Sequence, residues 1–340
     1  MDSLQLWKDG ALRGANAFPH HTVEDLSALR SWGANLVAFG LQSILEFDEP
    51  FDLKANAFAD IDTAVERARQ AGLFVCLNFR HAPGRKDFNR DLEQFTDFKY
   101  HDAFVRMWRE TARHLRGNEV VVGYDLMCEP HPEDLFRGED RSPAVFPQKV
   151  KGTPGDWNLL ARRATEAIRE EDSDTPIVIN STGWAYPQTF DYLELNGDAR
   201  TVYSVHFYHP HYYTHQKPED KRPYPGFVYP EDSGQAWEAR VTREALEPVR
   251  RFQQQHDVAI FSGEFGCARY APGAADWLRE QMELYEEYGW SYAYWDLRGW
   301  HVMDIEMTAD AEDKTRYPDT PLLRLFKSYF ARDTVFPSSR

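Results

Sequence analysis

Short apolar runs alternate with longer amphipathic stretches along this chain of 340 residues, and this alternation limits the possible folds more than any other feature. Eight of the runs predict β-strands, and eight of the stretches predict helices. Strands that alternate with helices form parallel sheets, and eight such units are typical of a closed (β/α)8 barrel. We therefore predict a TIM barrel in one catalytic domain over residues 1–340, with its core at about 11–331.

The pattern gives approximate bounds for each element. The strands are expected at 11–16, 35–39, 73–79, 120–126, 177–180, 201–207, 258–261 and 291–295. The helices are expected at 23–32, 58–71, 95–116, 156–170, 186–195 (the weakest pattern), 237–256, 274–288 and 321–331. Long loops, 130–155 and 209–235, follow the fourth and sixth strands and belong on the catalytic face of a barrel. The second loop is rich in tyrosine and proline, so it either walls a binding cleft or forms an apolar cluster that seals the barrel.

Composition narrows the class of function. Hydrophobic residues make up 42% of the chain, enough for a large core, so disorder is not expected. Lysine and arginine number 39 against 55 acidic residues, and the net charge of −16 argues against nucleic acid or an anionic membrane as the main partner. Aromatic residues make up 14%, and they either supply rings that stack on sugars or fill the core.

The cysteines and the first residues carry little functional signal. Cys76, Cys128 and Cys267 have no metal-type spacing, and we expect buried free thiols in or beside strands. The first residues do not resemble a signal peptide, and no apolar run approaches the roughly 20 residues of a membrane span. The sequence as it stands predicts a cytoplasmic protein, or a secreted one if a leader has been removed.

Two carboxylates follow predicted strands and suit hydrolysis of a glycosidic bond. Glu129 lies in Leu-Met-Cys-Glu-Pro after the fourth strand, and Glu264 lies in Ser-Gly-Glu-Phe-Gly after the seventh. Each alone is explained as well by a surface salt bridge or a loop carboxylate. Together, at the carboxyl ends of two barrel strands, they suit a pair in which one attacks the anomeric carbon and the other protonates the leaving oxygen.

Histidines cluster around the end of the sixth strand. His206 and Tyr208 are expected to contact a sugar or hold a carboxylate, although His206 is equally consistent with a buried barrel histidine. His209, His211 and His215 follow closely, which raises a metal site as an alternative. Their offsets fit no single helical face and no HExxH pattern occurs, so we expect neither a metal nor another cofactor.

Aromatic side chains after other strands are candidate sugar platforms. Trp295 ends the eighth strand, Trp184 follows the fifth, and Trp300 is a weaker candidate. Each is as readily a core side chain. His81 begins a tight turn after the third strand, on the same rim.

In this order the motifs resemble glycoside hydrolase family 5, the cellulase family, over about residues 13–330. Cys128-Glu129-Pro130 is similar to the family's Asn-Glu-Pro, and Gly263 to Gly266 matches its Gly-Glu-Phe-Gly. The remaining matches are His206 and Tyr208 to His-x-Tyr, Pro210 and Thr214-His215-Gln216 to an extended form in many bacterial glucanases, Tyr294-Trp295 to Tyr-Trp, and Arg80 to Gly84 to His-Gly-Ala-Pro-Gly.

The resemblance implies a retaining double displacement, with Glu129 as acid/base and Glu264 as nucleophile and with no cofactor. The implied substrate is a β-linked glucan or a gluco- or manno-oligosaccharide, cleaved as by an endo-β-1,4-glucanase. Three alternatives stay open. They are an exo-acting β-glycosidase or β-mannosidase on short glycosides, a carbohydrate-binding pseudoenzyme, and a metal-dependent hydrolase that uses His206, His209 and His211.

Three positions depart from the family pattern. Ala38 is expected where the family carries an arginine at the end of strand two, Arg80 replaces its strand-three histidine, and Cys128 replaces the asparagine that contacts the sugar 2-hydroxyl. A thiol is a weaker donor than an amide. We therefore expect Arg80 to supply the missing positive charge beside Glu264, and Cys128 to make a weaker or different contact with the sugar.

Overall fold

The computed structural model describes residues 2–230 and 234–337, and within them the chain closes a barrel of eight parallel strands in sequential order. The strands are Arg13–Ala17 (β1), Leu36–Leu41 (β2), Phe74–Phe79 (β3), Val121–Asp125 (β4), Ile177–Asn180 (β5), Thr201–Phe207 (β6), Ala259–Phe265 (β7) and Ser291–Tyr294 (β8). Because β1 also pairs with β8, the sheet has no free edge. The predicted TIM barrel is confirmed.

Helices follow the strands on the outside of the barrel or lie in its loops. They are Ser3–Lys8 (α1), Val23–Ser31 (α2), Ala59–Ala71 (α3), Phe98–Leu115 (α4), Phe146–Val150 (α5), Trp157–Arg169 (α6), Thr182–Ala185 (α7), His211–Thr214 (α8), Ala239–His256 (α9), Ala274–Tyr288 (α10) and Pro321–Phe330 (α11), with short 3-10 helices at Glu93–Phe95, Pro132–Phe136 and Pro187–Tyr192. Polar side chains cap several of them: Thr22 and Asp25 form a capping box on α2, and Asp156 caps α6. No helix in the described ranges is both long and apolar enough to cross a membrane.

Two predicted elements differ in the structure. The helix expected at 186–195 is a 3-10 helix over Pro187–Tyr192. It is preceded by the short α7, which the left-handed backbone of Gly183 and Trp184 interrupts. The seventh strand does not end at 261 but continues through Glu264, so this carboxylate lies inside the sheet instead of after it.

The lower end of the barrel is closed by α1, which the sequence analysis did not predict. Leu4, Leu6 and Trp7 of this helix pack with inward-facing side chains of the strands, including Ala38 and Phe261. The indole of Trp7 donates a hydrogen bond to the carbonyl oxygen of Val122 at 2.7 Å. A packed apolar floor therefore leaves only the upper end of the barrel open for polar chemistry.

Long loops rise on that upper end. The loops after β4 and β6 are as long as predicted, although residues 231–233 of the second lie outside the described residues. Further long segments follow β2, β3 and β8, at 42–58, 80–97 and 295–320. The three cysteines are buried free thiols, as expected.

Candidate active site

The carboxyl ends of the strands bring Glu129 and Glu264 into one cleft of about 390 Å³. Glu264 is the second-last residue of β7 and pairs in register with His206 of β6. Glu129 lies in the loop that follows the end of β4 at Asp125. The cleft is further lined by Asn89, Trp184, Tyr186, Tyr208, His211, His215 and Trp295.

Gly263 allows a histidine to lie directly beside Glu264. A Cβ at this position would come within 2.7 Å of Ser204 Oγ and 2.9 Å of His206 Nε2. Asn16 of β1 donates a hydrogen bond to the Gly263 carbonyl at 2.8 Å, which fixes the backbone before the carboxylate. The first glycine of the Gly-Glu-Phe-Gly motif, Gly263, is therefore required because β6 and β7 pack closely at this point.

Both oxygens of the Glu264 carboxylate accept hydrogen bonds. Tyr208 Oη donates to Oε2 at 2.9 Å, and Arg80 Nη1 donates to Oε1 at 3.0 Å. The Cys128 thiol lies 3.4 Å from Oε1. Burial alone would raise the pKa of Glu264, but the positive charges of His206 and Arg80, together with these hydrogen bonds, hold it below its ordinary value. The arrangement favours an ionised carboxylate, as a nucleophile requires.

His206 bridges the two glutamates. Its Nδ1 lies 2.8 Å from Glu129 Oε1 and 3.7 Å from Glu264 Oε2. Glu129 Oε1 and Glu264 Oε2 therefore cannot be farther apart than the sum of these two distances. The carboxyl separation of retaining glycosidases, about 5–5.5 Å, lies within that limit.

The acids around this histidine raise its pKa. Burial would lower the pKa of His206, but the negative charges of Glu264 and Glu129 and the hydrogen bond to Glu129 raise it. Asp125 lies below, and burial raises its pKa to about 7, although it accepts a hydrogen bond from Asn180 at 2.7 Å. A protonated His206 donates Nδ1–H to Glu129 and leaves the other oxygen of that carboxyl free.

Ala38 does not occupy the position expected for it. β2 extends to Leu41, so Ala38 lies in the apolar interior below the cleft, and the inward position at the mouth is Gly40. A Cβ on Gly40 would lie 2.8 Å from Cδ of Arg80 and 2.9 Å from a ring carbon of Phe18. The side chain of Arg80 therefore crosses the end of β2 through space that any larger residue would fill.

Two aromatic rings hold the guanidinium of Arg80 against Glu264. Its central carbon lies 4.1 Å from the ring centre of Phe88 and 4.8 Å from that of Trp295. The expected positive charge beside Glu264 thus comes from the residue after β3. Arg80 also lies 3.1 Å from the Cys128 sulfur. Burial raises the pKa of Cys128 well above its ordinary value, so the sulfur remains a protonated thiol.

The tryptophans predicted as sugar platforms do not share one environment. Trp184 lines the cleft with a left-handed backbone (φ 67°) and stacks on the ring of His131 at 3.7 Å. Trp295 also lines the cleft, where Arg80 and Phe18 contact its ring. Trp300 lies at the margin, 5.8 Å from the ring centre of His215.

The remaining histidines divide between the cleft and its surroundings. His215 lines the cleft and stacks on His211 at 3.8 Å, and burial lowers the pKa of His215 to about 3. His81 instead hydrogen-bonds the backbone of Leu41 and is absent from the described lining of the cleft. The site role predicted for His81 thus has no supporting contact in the described cleft.

The histidines also do not form the metal group raised by their spacing. Within the described residues, the metal-type donors that lie within 4.8 Å of one another are those of Cys128, His206 and Glu264, without His209 or His211. The guanidinium of Arg80 already contacts two of these three donors. We therefore assign the group no metal role.

Sequence reasoning missed two residues close to Glu129. Tyr186, which was assigned to a helix, lines the cleft. Arg85 is buried and donates hydrogen bonds to the carbonyl oxygens of Cys128 at 2.6 Å and Glu129 at 3.0 Å. Nothing in the local sequence distinguishes Arg85 from an exposed loop arginine, because its contacts are made across 43 and 44 residues of chain.

A barrel with two close carboxylates in an aromatic-lined cleft defines a glycoside hydrolase, and comparison with known proteins supports this class. Residues 10–299 match the family model of cellulase, glycosyl hydrolase family 5. Endoglucanase C of Acetivibrio thermocellus is 25% identical over 316 residues, which cover 84% of this chain and 85% of the relative. A beta-xylosidase of Phanerodontia chrysosporium is 22% identical and covers 92% of this chain and 62% of the relative.

Solved structures share the fold. A hyperthermophilic endo-beta-1,4-glucanase, solved with substrate, superposes with a TM-score of 0.71 at 19% identity, covering 96% of this chain and all of the other. Cel5A of Thermotoga maritima, solved with mannotriose, gives the same score and identity over 97% of this chain and 100% of its own. The chain belongs to the cellulase family, glycosyl hydrolase family 5.

Proposed function

We propose that this protein is a retaining endo-β-1,4-glucanase that cleaves β-linked glucans by double displacement, with Glu264 as nucleophile and Glu129 as acid/base. The observation that carries the proposal is the bridging of the two glutamates by His206, at 2.8 Å and 3.7 Å, inside one open cleft. Family membership and the endoglucanase relatives support the substrate class.

In the first step a Glu264 oxygen attacks the anomeric carbon and the bond to the leaving oxygen breaks. Tyr208 and Arg80 orient the carboxylate and keep it ionised until attack. Glu129 transfers its proton to the leaving oxygen, while His206 holds its Oε1 in place. The products are a covalent glycosyl-enzyme and the shortened glucan.

In the second step Glu129 acts as a base instead of an acid. The Glu129 carboxylate removes a proton from water, the water oxygen attacks the anomeric carbon, and Glu264 leaves as a carboxylate. Apart from the glucan itself, water is the only reactant that the two steps consume. The aromatic rings of Trp184, Tyr186 and Trp295 supply flat surfaces along the cleft on which pyranose faces stack.

A second candidate is an exo-acting β-glycosidase on short oligosaccharides. The similarity to the beta-xylosidase, which extends over 92% of this chain, favours it. The two candidates differ in their products, because an endo-acting enzyme releases oligosaccharides of mixed length and an exo-acting enzyme releases single sugars or fixed short units.

The test is digestion of a β-1,4-glucan, β-mannan and β-linked oligosaccharides, followed by measurement of product length. We expect mixed-length products from the glucan and no hydrolysis by Glu264→Gln. Glu129→Ala should lose activity on natural substrates and retain the glycosylation step with activated aryl glycosides. Hydrolysis by Glu264→Gln at the wild-type rate would contradict the assignment, and release of single sugars alone would favour the second candidate.

A further inference from the structure

We propose that Arg85 is a positioning residue for the acid/base, which acts by holding the two peptide groups on either side of the Glu129 Cα. The inference rests on the proposed function, because it takes Glu129 as the acid. Arg85 itself touches no reacting atom. It fixes the position of the Glu129 Cα, and thus determines whether the proton of the Glu129 carboxyl reaches the leaving oxygen.

Glu129 needs such a clamp because of its backbone conformation. Its φ of 50° lies in the left-handed region, which is strained for a residue other than glycine. The residue also lies beyond the end of β4, so no sheet hydrogen bonds hold it. Its amide is 3.5 Å from the Asn180 side-chain oxygen, a long contact that restrains it only weakly.

Arg85 donates two hydrogen bonds to this segment. One of its terminal nitrogens donates to the Cys128 carbonyl at 2.6 Å and the other to the Glu129 carbonyl at 3.0 Å. The planar guanidinium therefore fixes the relative direction of two successive carbonyl groups. His131 Nδ1 is also 2.8 Å from the Glu129 carbonyl, which holds the same oxygen from the other side.

Burial of Arg85 without an ion-pair partner among the described residues is energetically unfavourable, which indicates that its hydrogen bonds have a function. The residue is 1% exposed, and its two terminal nitrogens donate to carbonyl oxygens and not to a carboxylate. Its Nε has no hydrogen-bond partner in the described chain. Burial, together with the nearby charge of Arg80, lowers the pKa of Arg85 to about 10. An unpaired buried cation is destabilising, and the hydrogen bonds to the two carbonyl oxygens offset part of that cost.

The loop after β3 is built to bring Arg85 to this point. Gly84 adopts a φ of 78°, and a Cβ there would lie 2.6 Å from the backbone nitrogen of Gln94. Ala82 and Arg85 form an isolated antiparallel bridge that closes the turn. The ring of Phe88 lies 4.5 Å from the Arg85 guanidinium and 4.1 Å from that of Arg80. One ring thus supports both the cation beside the nucleophile and the cation behind the acid.

The prediction concerns the leaving group. Acid assistance matters for poor leaving groups and hardly at all for activated ones, so loss of positioning affects the two unequally. In Arg85→Met we expect kcat/KM for an aryl β-glycoside with a poor leaving group to fall about 100-fold, since a displacement of 1 Å has this effect. For the 2,4-dinitrophenyl glycoside of the same sugar, kcat/KM should fall less than about fivefold.

The control is Arg169→Met, because Arg169 also donates to two carbonyl oxygens, those of Asp172 and Thr175 at 2.9 Å each, but at the opposite end of the barrel. Unlike Arg85, it also forms an ion pair with Asp198 at 2.7 Å, so its loss tests the general effect of removing a buried arginine contact. It should leave the ratio between the two substrates unchanged. Arg85→Lys retains one donor and should recover part of the loss. If Arg85→Met does not fold, the same ratio measured in Arg85→Lys decides the question.

The outcomes are distinct. A selective loss on the poor leaving group supports positioning. A misplaced Glu129 is also a weaker general base in the second step, which lowers kcat on the activated substrate. Added azide should then restore that kcat, because azide needs no general base. Equal losses on both substrates, or no loss, would overturn the inference. Failure of the proposed function itself is recognised separately, since wild-type protein would then cleave neither glycoside.

Discussion

At the scale of single residues, the cleft is organised by donors that reach Glu264 from three different strands. Tyr208 follows β6, Arg80 follows β3, and Cys128 follows β4. The sequence predicted both carboxylates and the charge of Arg80 because these lie in short motifs at strand ends. It could not locate Gly40, since the space that Arg80 crosses is visible only when β2 and β3 are side by side.

Gly40→Ala tests this crossing. The added methyl would lie 2.8 Å from Cδ of Arg80, so it should displace the guanidinium and reduce kcat about 10- to 100-fold with an unchanged melting temperature. The measurement is kcat for the single variants Gly40→Ala and Arg80→Met and for the double variant. Because both act through one cation, their effects should not add; strict additivity would show that Gly40 acts otherwise.

Tyr208→Phe tests the ionisation of Glu264. The active form is the carboxylate, and its pKa is held low by His206, Arg80 and the Tyr208 hydroxyl, so activity should persist below the ordinary range of a glutamate. Loss of the hydroxyl raises that pKa, and the acid limb of the kcat/KM profile should move to higher pH. A limb that stays in place or moves to lower pH would contradict the assigned role of Tyr208.

At the scale of elements, the loops depart most from what the sequence predicts. Amphipathic spacing located the ends of the long helices to within three residues, because their buried faces repeat along several turns. It failed at 186–195, where a 3-10 helix follows the left-handed residues Gly183 and Trp184, and at β7, which continues to Phe265. Local patterns do not register backbone angles imposed by distant neighbours.

Glu133 is the support of that left-handed turn. It is buried in the 3-10 helix Pro132–Phe136, and its Oε2 accepts a hydrogen bond from the Gly183 amide at 3.0 Å. Burial raises the pKa of Glu133 to about 7, although Thr182 and the backbone amides oppose the shift. The folded protein therefore binds a proton there that the unfolded chain has lost, so its stability falls as pH rises from about 4.5 to 7.

Glu133→Gln removes this dependence. The loss of stability between pH 5 and pH 8 should shrink by roughly 3 kcal/mol at most, measured by urea unfolding at both values. The exposed Glu247→Gln serves as control and should leave the difference unchanged. An unchanged pH dependence in Glu133→Gln would show that this carboxyl does not titrate in the folded state.

At the scale of the whole molecule, the apolar floor that stabilises the fold and the cleft that holds the two glutamates lie at opposite ends of the barrel. Alternation of strands and helices was enough to predict the barrel, because eight repeated units leave few other topologies. The floor was not predictable in the same way. α1 has only six residues, too few for a periodic signal, and its role depends on contacts such as that of Trp7 with Val122, 115 residues away.

Trp7→Ala tests this separation. The side chain is fully buried, so its removal should lower the free energy of unfolding by about 3–5 kcal/mol. Because Trp7 packs below the barrel interior and does not line the cleft, kcat at a temperature where the variant is folded should remain within about twofold of the wild type. A loss of kcat without a loss of stability would show that the floor and the cleft are coupled.

The stereochemistry of the first product shows whether Glu129 and Glu264 act as a retaining pair. Proton NMR during hydrolysis of a β-linked oligosaccharide distinguishes the anomers before they interconvert. We predict that the β-anomer appears first, since two displacements at the anomeric carbon restore its configuration. Initial release of the α-anomer would mean a single displacement by water and would contradict the assignment of Glu264 as nucleophile.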